Sequence, residues 1–191
     1  RALDLAEVQG ASYADIRIVR TSQERISVRS GVVDTLSFDE SLGFGVRVLV
    51  NGCWGFASSH DITSKEVDRI TALAVNIAKA SATLSKGAVN LGPPVTSRGT
   101  YTTPIEEDPF TISTDHKLAL LMDADQRMAS VKGIRSRQGN LIFIKEEKTF
   151  ANSEGAHVEQ TVYEAGGGIS ANAVGNNEIQ RRSYPQSMGR Q

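Results

Sequence analysis

Cysteine is nearly absent: Cys53 is the only one in 191 residues. A single thiol cannot build an internal disulfide framework, so the chain is not a small disulfide-stapled domain. It suits a reducing compartment, and the cytoplasm is the expected location. Cys53 has no partnered His or Asp nearby in sequence and reads as a structural residue, not a nucleophile. A surplus of charge is also missing. Lys and Arg number 21 against 22 Asp and Glu, a formal net charge of −1. Duplex-binding surfaces displace counterions with excess cations, so nucleic acid is not an expected partner. No apolar run approaches the ~20 residues of a membrane-spanning helix, and no membrane is expected either. Histidine is sparse: His60, His116 and His157 stand far apart. A helical zinc site needs two His on one face with a Glu beside them to take a proton from bound water. That spacing is not found, so no metal ligand and no catalytic residue is assigned to this chain.

What the sequence does contain is centred on Gly43 to Ser59. Phe44, Val46, Val48 and Val50 alternate with Gly45, Arg47 and Leu49, the period of a strand with one buried face. Asn51-Gly52 supplies the two left-handed residues of a type I′ turn, and Cys53 to Ala57 returns. The expectation is a β-hairpin. Before it, Leu3 to Val8 suggests a helix closed near Gly10. Tyr13–Thr21, Glu24–Arg29 and Val33–Asp39 read as three strands, with Ser30-Gly31 as a turn. Five antiparallel strands in a meander follow from these short connections.

The clearest helix starts at Thr63, whose spacing to Glu66 is that of a capping box. Val67, Ile70, Ala74, Ile77, Ala78 and Ser81 form its expected inner stripe, lying across the meander. Residues 85–109 are rich in Pro and Gly and read as a linker. A second lobe opens with a helix over 114–130, with Leu118, Leu121, Met122 and Ala129 inward. Strands are expected around Leu141–Ile144, Thr149–Phe150, Val158–Tyr163, Ile169–Val174 and Ile179–Tyr184. Gly166–Gly168 is expected to bulge a strand, and Gly175–Asn177 to turn the chain. The predicted fold class is α+β: an antiparallel meander with packed helices in 1–84, then a second small α+β lobe in 110–191. The chain opens on what reads as the last turns of a helix and stops without a closing element, so a longer parent protein is expected.

Several groupings that resemble catalytic sites have plainer readings. Ser58-Ser59-His60-Asp61 places a Ser, His and Asp side by side, but triad members come from distant segments. The expected role is a strand end leading into a helix cap. Glu106-Glu107 and Glu146-Glu147 read as solvated charge. Gly43-Phe44-Gly45 precedes a strand rather than a helix, which removes a phosphate cradle. Arg47 either faces solvent opposite the valines or holds a carboxylate of a partner subunit or peptide end. Trp54 and Phe56 are expected in the core, or else lining a partner surface.

Gly43-Phe44-Gly45-Val46-Arg47-Val48, Asn51-Gly52 and Trp54-Gly55-Phe56-Ala57 together resemble the signature of the TldD/PmbA family of zinc metallopeptidases. The resemblance continues through the helix Thr63–Ala82, Phe150–Gly155 and Gln180-Arg181-Arg182-Ser183, in family order. It implies that this is the N-terminal, non-catalytic region of a peptidase acting on unfolded or modified peptides. It also implies a zinc site C-terminal to Gln191, and a homo- or hetero-dimer of family subunits. The unbroken Gly43 to Ala57 stretch looks more like the TldD side. Gly43, Gly45, Arg47, Trp54, Gly55, Phe56, Asn152 and Gly155 are the candidate motif or interface residues. The alternatives are a non-enzymatic module that binds peptides or a partner by its β-edges, and the inactive subunit of a peptidase pair. A DNA-linked role, suggested by the family's older name of modulator of DNA gyrase, gains nothing from the charge balance.

Overall fold

Two tight turns fix the first strands. Ser30 and Gly31 adopt φ of 48° and 82°, and Asn51 and Gly52 adopt 49° and 74°, the left-handed pairs that close hairpins without splaying twisted strands. In the computed structural model, which describes residues 1–84, 87–94, 96–175 and 178–190 (186–190 as backbone), ten elements follow in order. These are α1 (Ala2–Val8), β1 (Tyr13–Arg29), β2 (Val32–Val50), β3 (Cys53–Ser59), α2 (Ser64–Ala82), β4 (Arg98–Thr102), α3 (Thr114–Ala129), β5 (Ile134–Asn152), β6 (His157–Gly175) and β7 (Glu178–Arg190). The sheet runs β3-β2-β1-β5-β6-β4, with β7 also against β6. The β2–β3 and β6–β7 ladders are antiparallel, and β4 lies parallel to β6. The class is α+β, as the alternation implied.

The strands differ from expectation in length. Tyr13–Thr21 and Glu24–Arg29 are one strand, and Val33–Asp39 runs on unbroken into the hairpin. The polar Ser22 and Glu24 do not break β1 because their side chains find partners: Ser22 donates to Glu40, and Glu24 accepts from Lys117. β4 lies inside the Pro/Gly-rich segment 85–109. The register shift between Gly167 and Ile169 is the bulge expected from the glycine run. The turn expected at Gly175–Asn177 falls on 176 and 177, outside the described residues.

Two compact units form, each assembled from separated stretches. The first comprises Arg1–Thr21, Ser41–Thr102 and Glu146–Thr161. Its core joins Phe44, Val46, Val48, Val50 and Ala57 of the hairpin to Ile70, Ala74, Val75 and Ala78 of α2, with Ala2 and Ala6 of α1. Thr63 caps α2, its hydroxyl accepting from the Glu66 amide at 3.3 Å. The buried stripe of α2 is rotated from expectation. Thr71 and Val75 are buried, whereas Ile77 is 39% exposed and Ser81 faces solvent. Thr71 tolerates burial because its hydroxyl donates to the Val67 carbonyl at 2.7 Å.

The second unit comprises Ser22–Glu40, Thr103–Lys145 and Val162–Gln191. Ile26, Val28 and Leu121 centre its core, with Leu118, Met122 and Leu141 against them. Ser113 caps α3 by accepting from the His116 amide. Ala129, expected inward, is exposed, and Lys117 and Asp125 are buried in its place. Lys117 donates to Glu24 with its ammonium 4.8 Å from the Phe143 ring centroid, and Asp125 accepts from Arg137 at 3.1 Å. Each buried charge is therefore paired, which is the condition for burying it at all.

Candidate functional site

The hairpin has two faces with opposite chemistry. On one, Cys53, Gly55 and Ala57 of β3 lie under α2 with the alternating valines of β2. Gly55 is buried there because the helix backbone passes directly over it. A Cβ built on it would stand 2.0 Å from the Ala74 carbonyl oxygen and 2.6 Å from the Ala78 nitrogen. Only glycine fits so close an approach of backbone to backbone.

The other face carries Gly43, Gly45 and Arg47 of β2, Trp54 and Phe56 of β3, and Tyr13, Asp15 and Arg17 of β1. Arg47 donates from Nε and Nη2 to Asp15 Oδ2 at 2.8 and 2.6 Å. Its guanidinium carbon sits 4.5 Å over the Trp54 ring, and Tyr13 meets Trp54 edge-on at 5.8 Å. Asp15 is 2% exposed and Arg47 retains 38% of its side-chain surface. Burial works against the Arg47 cation, but the hydrogen bonds and charge of Asp15 outweigh it, and the pKa is raised. Burial also raises the Tyr13 phenol, and the Asp15 carboxylate adds to that rise. Arg47 thus neither points free into solvent nor waits for a foreign carboxylate, because it holds one of its own chain.

Beside this cluster the face is open. A groove of about 260 Å³ is lined by Arg17, Val19, Gly43, Gly45, Phe56 and Ser58, among others. Phe56, expected in the core, is 58% exposed. Its ring lies across Gly45, where a Cβ would meet Cε2 at 2.8 Å, so the glycine lets the ring lie flat on the strand. Trp54, by contrast, is half-buried by Tyr13 and Arg47. The Arg17 guanidinium sits 5.4 Å from the Phe150 ring centroid, and among the described residues no carboxylate pairs with it.

Asn152 and Gly155 belong to the turn between β5 and β6. The Asn152 side-chain oxygen accepts from the Glu154 and Ala156 amides at 3.1 and 2.7 Å, and Gly155 takes φ of 101°. Arg98 donates to the Gly155 carbonyl at 2.8 Å, while Ser153 bonds both backbone groups of Ala14. Their role is to build the turn and tie it to β1. Of the eight candidates, then, five share the open face, one lies beneath α2 and two shape a turn.

Among the described residues no three His, Cys, Asp or Glu side chains stand together as a metal site. Ser59 accepts from the Asp61 amide at the entrance to α2, as a strand end leading into a cap should. Glu106 and Glu107 are exposed, and Glu146 pairs with Lys148. The residues that sequence reasoning missed are Tyr13, Asp15 and Arg17. Their signal was polar alternation along β1, one strand away from the lone arginine of the hairpin.

Two family models match, described as PmbA/TldA metallopeptidase domain 1 over residues 14–78 and PmbA/TldA metallopeptidase central domain over 107–190. A metalloprotease of Methanothermobacter thermautotrophicus is 28% identical over 93% of this chain and 41% of its own length. One from Methanocaldococcus jannaschii is 26% identical over 77% of this chain and 32% of its own. The fold matches TldE from Thermococcus kodakarensis with TM-score 0.75 at 15% identity, over 98% of this chain and 41% of that one. It also matches a candidate modulator of DNA gyrase from Bacteroides thetaiotaomicron, with TM-score 0.74 at 14% identity, over 95% and 42%. The chain spans about two fifths of the length of the first of these relatives.

Proposed function

We propose, given that this chain belongs to the PmbA/TldD metallopeptidase family, that it is the non-catalytic N-terminal part of a peptidase acting on unfolded or modified peptides. The metal, zinc in this reading, is held by residues outside the chain. The longer protein works in the cytoplasm as a homo- or hetero-dimer of family subunits. This chain's task is to offer a face to the partner subunit and to wall the chamber that admits extended peptides. Among the described residues no helix is long and apolar enough to cross a membrane.

The observation that carries this reading is the open face of the first unit. An aromatic ring spread over a glycine and exposed to solvent, next to an arginine that no carboxylate among the described residues pairs with, is the composition of an interface centre. The full-length protein with Phe56→Asp tests it. The exposed ring contributes little to the unit's own core, so circular dichroism should match the wild type. Sedimentation velocity should show association weakened at least ~10-fold, the loss of one interface anchor. A folded, fully associated variant with unchanged peptide hydrolysis would reject the assignment. Metal content of the same preparation decides the peptidase part: about one zinc per chain supports it, and none rejects it.

A further inference from the structure

A second feature, in the other unit, goes past the open face. β3 pairs with β2 only from Phe44 to Val50. Beyond Phe44 toward the N-terminus, β2 has β1 on one side and, among the described residues, no strand on the other. Sheet edges of this kind are ordinarily protected by lysine, by proline or by being short. This one is long, and from Gly31 to Val46 the sequence has neither Lys, Arg nor Pro. Val32, Leu36 and Phe38 along it are 67%, 55% and 58% exposed. Phe38 is nonetheless fixed in place, edge-on to Phe110 at 6.3 Å.

The charge on this edge is of one sign. Asp34, Asp39 and Glu40 are its only ionisable groups. Asp34 is answered by Arg29 at 3.4 Å and by Ser27. Glu40 accepts only from the neutral Ser22 hydroxyl, and among the described residues no cation pairs with it or with Asp39. Two copies of this edge laid against each other would bring six carboxylates together, and like charges across a ladder oppose pairing. An incoming strand carrying Lys or Arg is attracted instead, and one with apolar residues covers Leu36 and Phe38.

We propose that the Val32–Glu40 edge of β2 binds an extended peptide segment that mixes apolar and basic residues, adding it to the sheet as a strand. This rests on the reading of the chain as part of a peptidase, and it specifies which unfolded segments the chamber wall prefers. Backbone pairing supplies the affinity whatever the side chains, and the Asp39–Glu40 end supplies the choice of charge.

The test uses the full-length protein and fluorescein-labelled, N-acetylated peptides of about eight residues, an ordinary strand length. One alternates Val with Lys, one alternates Val with Glu, and one has proline in place of every second residue of the first. By fluorescence anisotropy the Lys peptide should bind at least ~10-fold tighter than the Glu peptide, and the proline peptide, which has lost half of its backbone donors, should bind at least ~10-fold more weakly than its parent. Asp39→Lys with Glu40→Lys should invert the preference, and Phe38→Ala should weaken both peptides. These positions are exposed, but Glu40 accepts from Ser22 and Phe38 meets Phe110, so far-UV circular dichroism must first match the wild type, and Asp39→Lys alone, which breaks neither contact, should shift the preference in the same direction. Equal binding of both charge types, or a preference that the double variant leaves in place, overturns the proposal. So does a change in sedimentation of the peptide-free protein on charge reversal, which would make a second copy the occupant, its basic β7 edge with Arg181 and Arg182 being the candidate. Peptide hydrolysis distinguishes the two levels. Cleavage that ignores the reversal removes the edge and leaves the peptidase, whereas binding without any cleavage removes the peptidase and leaves the edge.

Discussion

Replacing Gly55 by alanine adds one methyl group at the point where α2 lies on β3. Gly55 is not in the left-handed region, so no backbone strain is involved and the substitution tests space alone. The new Cβ would be 2.0 Å from the Ala74 carbonyl oxygen, against about 3.4 Å for ordinary contact. The helix must therefore retreat by about 1.4 Å, or the strand must bend by as much. A retreat of that size opens the contacts of Ile70, Ala74, Val75 and Ala78 with the valines of β2, and gaps of ~1 Å already forfeit up to half of a contact's dispersion energy. Overpacking costs typically 1–3 kcal/mol, and the obstacle here is rigid backbone on both sides, so a loss of about 3 kcal/mol is expected. For a chain of this length that lowers the melting temperature by about 6–12 °C. Gly99→Ala is the control, since nothing lies within 4 Å of its Cβ, and it should melt within about 2 °C of the wild type. Ala78→Gly should not rescue Gly55→Ala, because the nearest obstacles are the Ala74 carbonyl and the Ala78 amide, not the Ala78 methyl. Thermal melts followed by far-UV circular dichroism decide the matter. Gly55→Ala melting with the control would refute the close-approach argument.

The Asp15–Arg47 pair should respond asymmetrically in denaturant titrations. Arg47→Met strands a carboxylate that is 2% exposed and should cost about 3–5 kcal/mol, whereas Asp15→Asn leaves a partly exposed guanidinium over Trp54 and should cost about 1–2. Equal costs would mean that the pair is solvated. In the second unit Lys117→Met alone should also lose about 3–5 kcal/mol, while Lys117→Met with Glu24→Leu should recover most of it. A double variant as unstable as the sum of the singles would show that the two charges do not depend on each other. Glu66 offers a pH signature. Its hydrogen bonds to Arg69 hold the carboxyl down at about 2, so its contribution is fully present above its ordinary value near 4.5 and is lost as pH falls through about 2. Carboxyl chemical shifts followed by NMR should show that low midpoint, and Arg69→Ala should return it toward 4.5. A midpoint unmoved by Arg69→Ala would assign the shift to something else.

The parts legible in the sequence were those determined locally. The hairpin followed from alternation plus Asn51-Gly52, the start of α2 from Thr63 and Glu66, and the α+β class from short antiparallel connections with a helix laid across them. What was not legible depends on partners far away in the chain. Ser22 and Gln23 read as a break between the strands Tyr13–Thr21 and Glu24–Arg29, yet Ser22 finds Glu40 and Glu24 finds Lys117, 18 and 93 residues away, and the strand runs on unbroken. Lys117 and Asp125 read as the outer side of α3, since burial of either makes sense only once Glu24 and Arg137 are known. Phe56 shows a different limit. An aromatic in a β-hairpin is by default core, and only the glycine across the ladder, in a register fixed by the turn, gives the ring somewhere to lie outside it.

The two faces of the hairpin make a comparison that bears on why the open one is polar where it could have been greasy. Beneath α2 the residues are Val, Ala and Gly, which pack by shape and need no partner beyond the helix. On the open side, Tyr13, Asp15, Arg47 and Trp54 satisfy one another through an ion pair in which two guanidinium N–H groups share one carboxylate oxygen, a cation over a ring and an edge contact, and so tolerate water. A face destined to stay bare would be served equally well by short polar side chains, which bury nothing and cost less ordering entropy. A face destined only for the core would not spend a buried carboxylate. Large amphipathic side chains, already ordered and already neutralised, are suited to a surface that is wet in the free unit and dry in an assembly. In the interface proposed above, they would lower the cost of desolvation on docking and leave Phe56 and Arg17 at the centre of the contact.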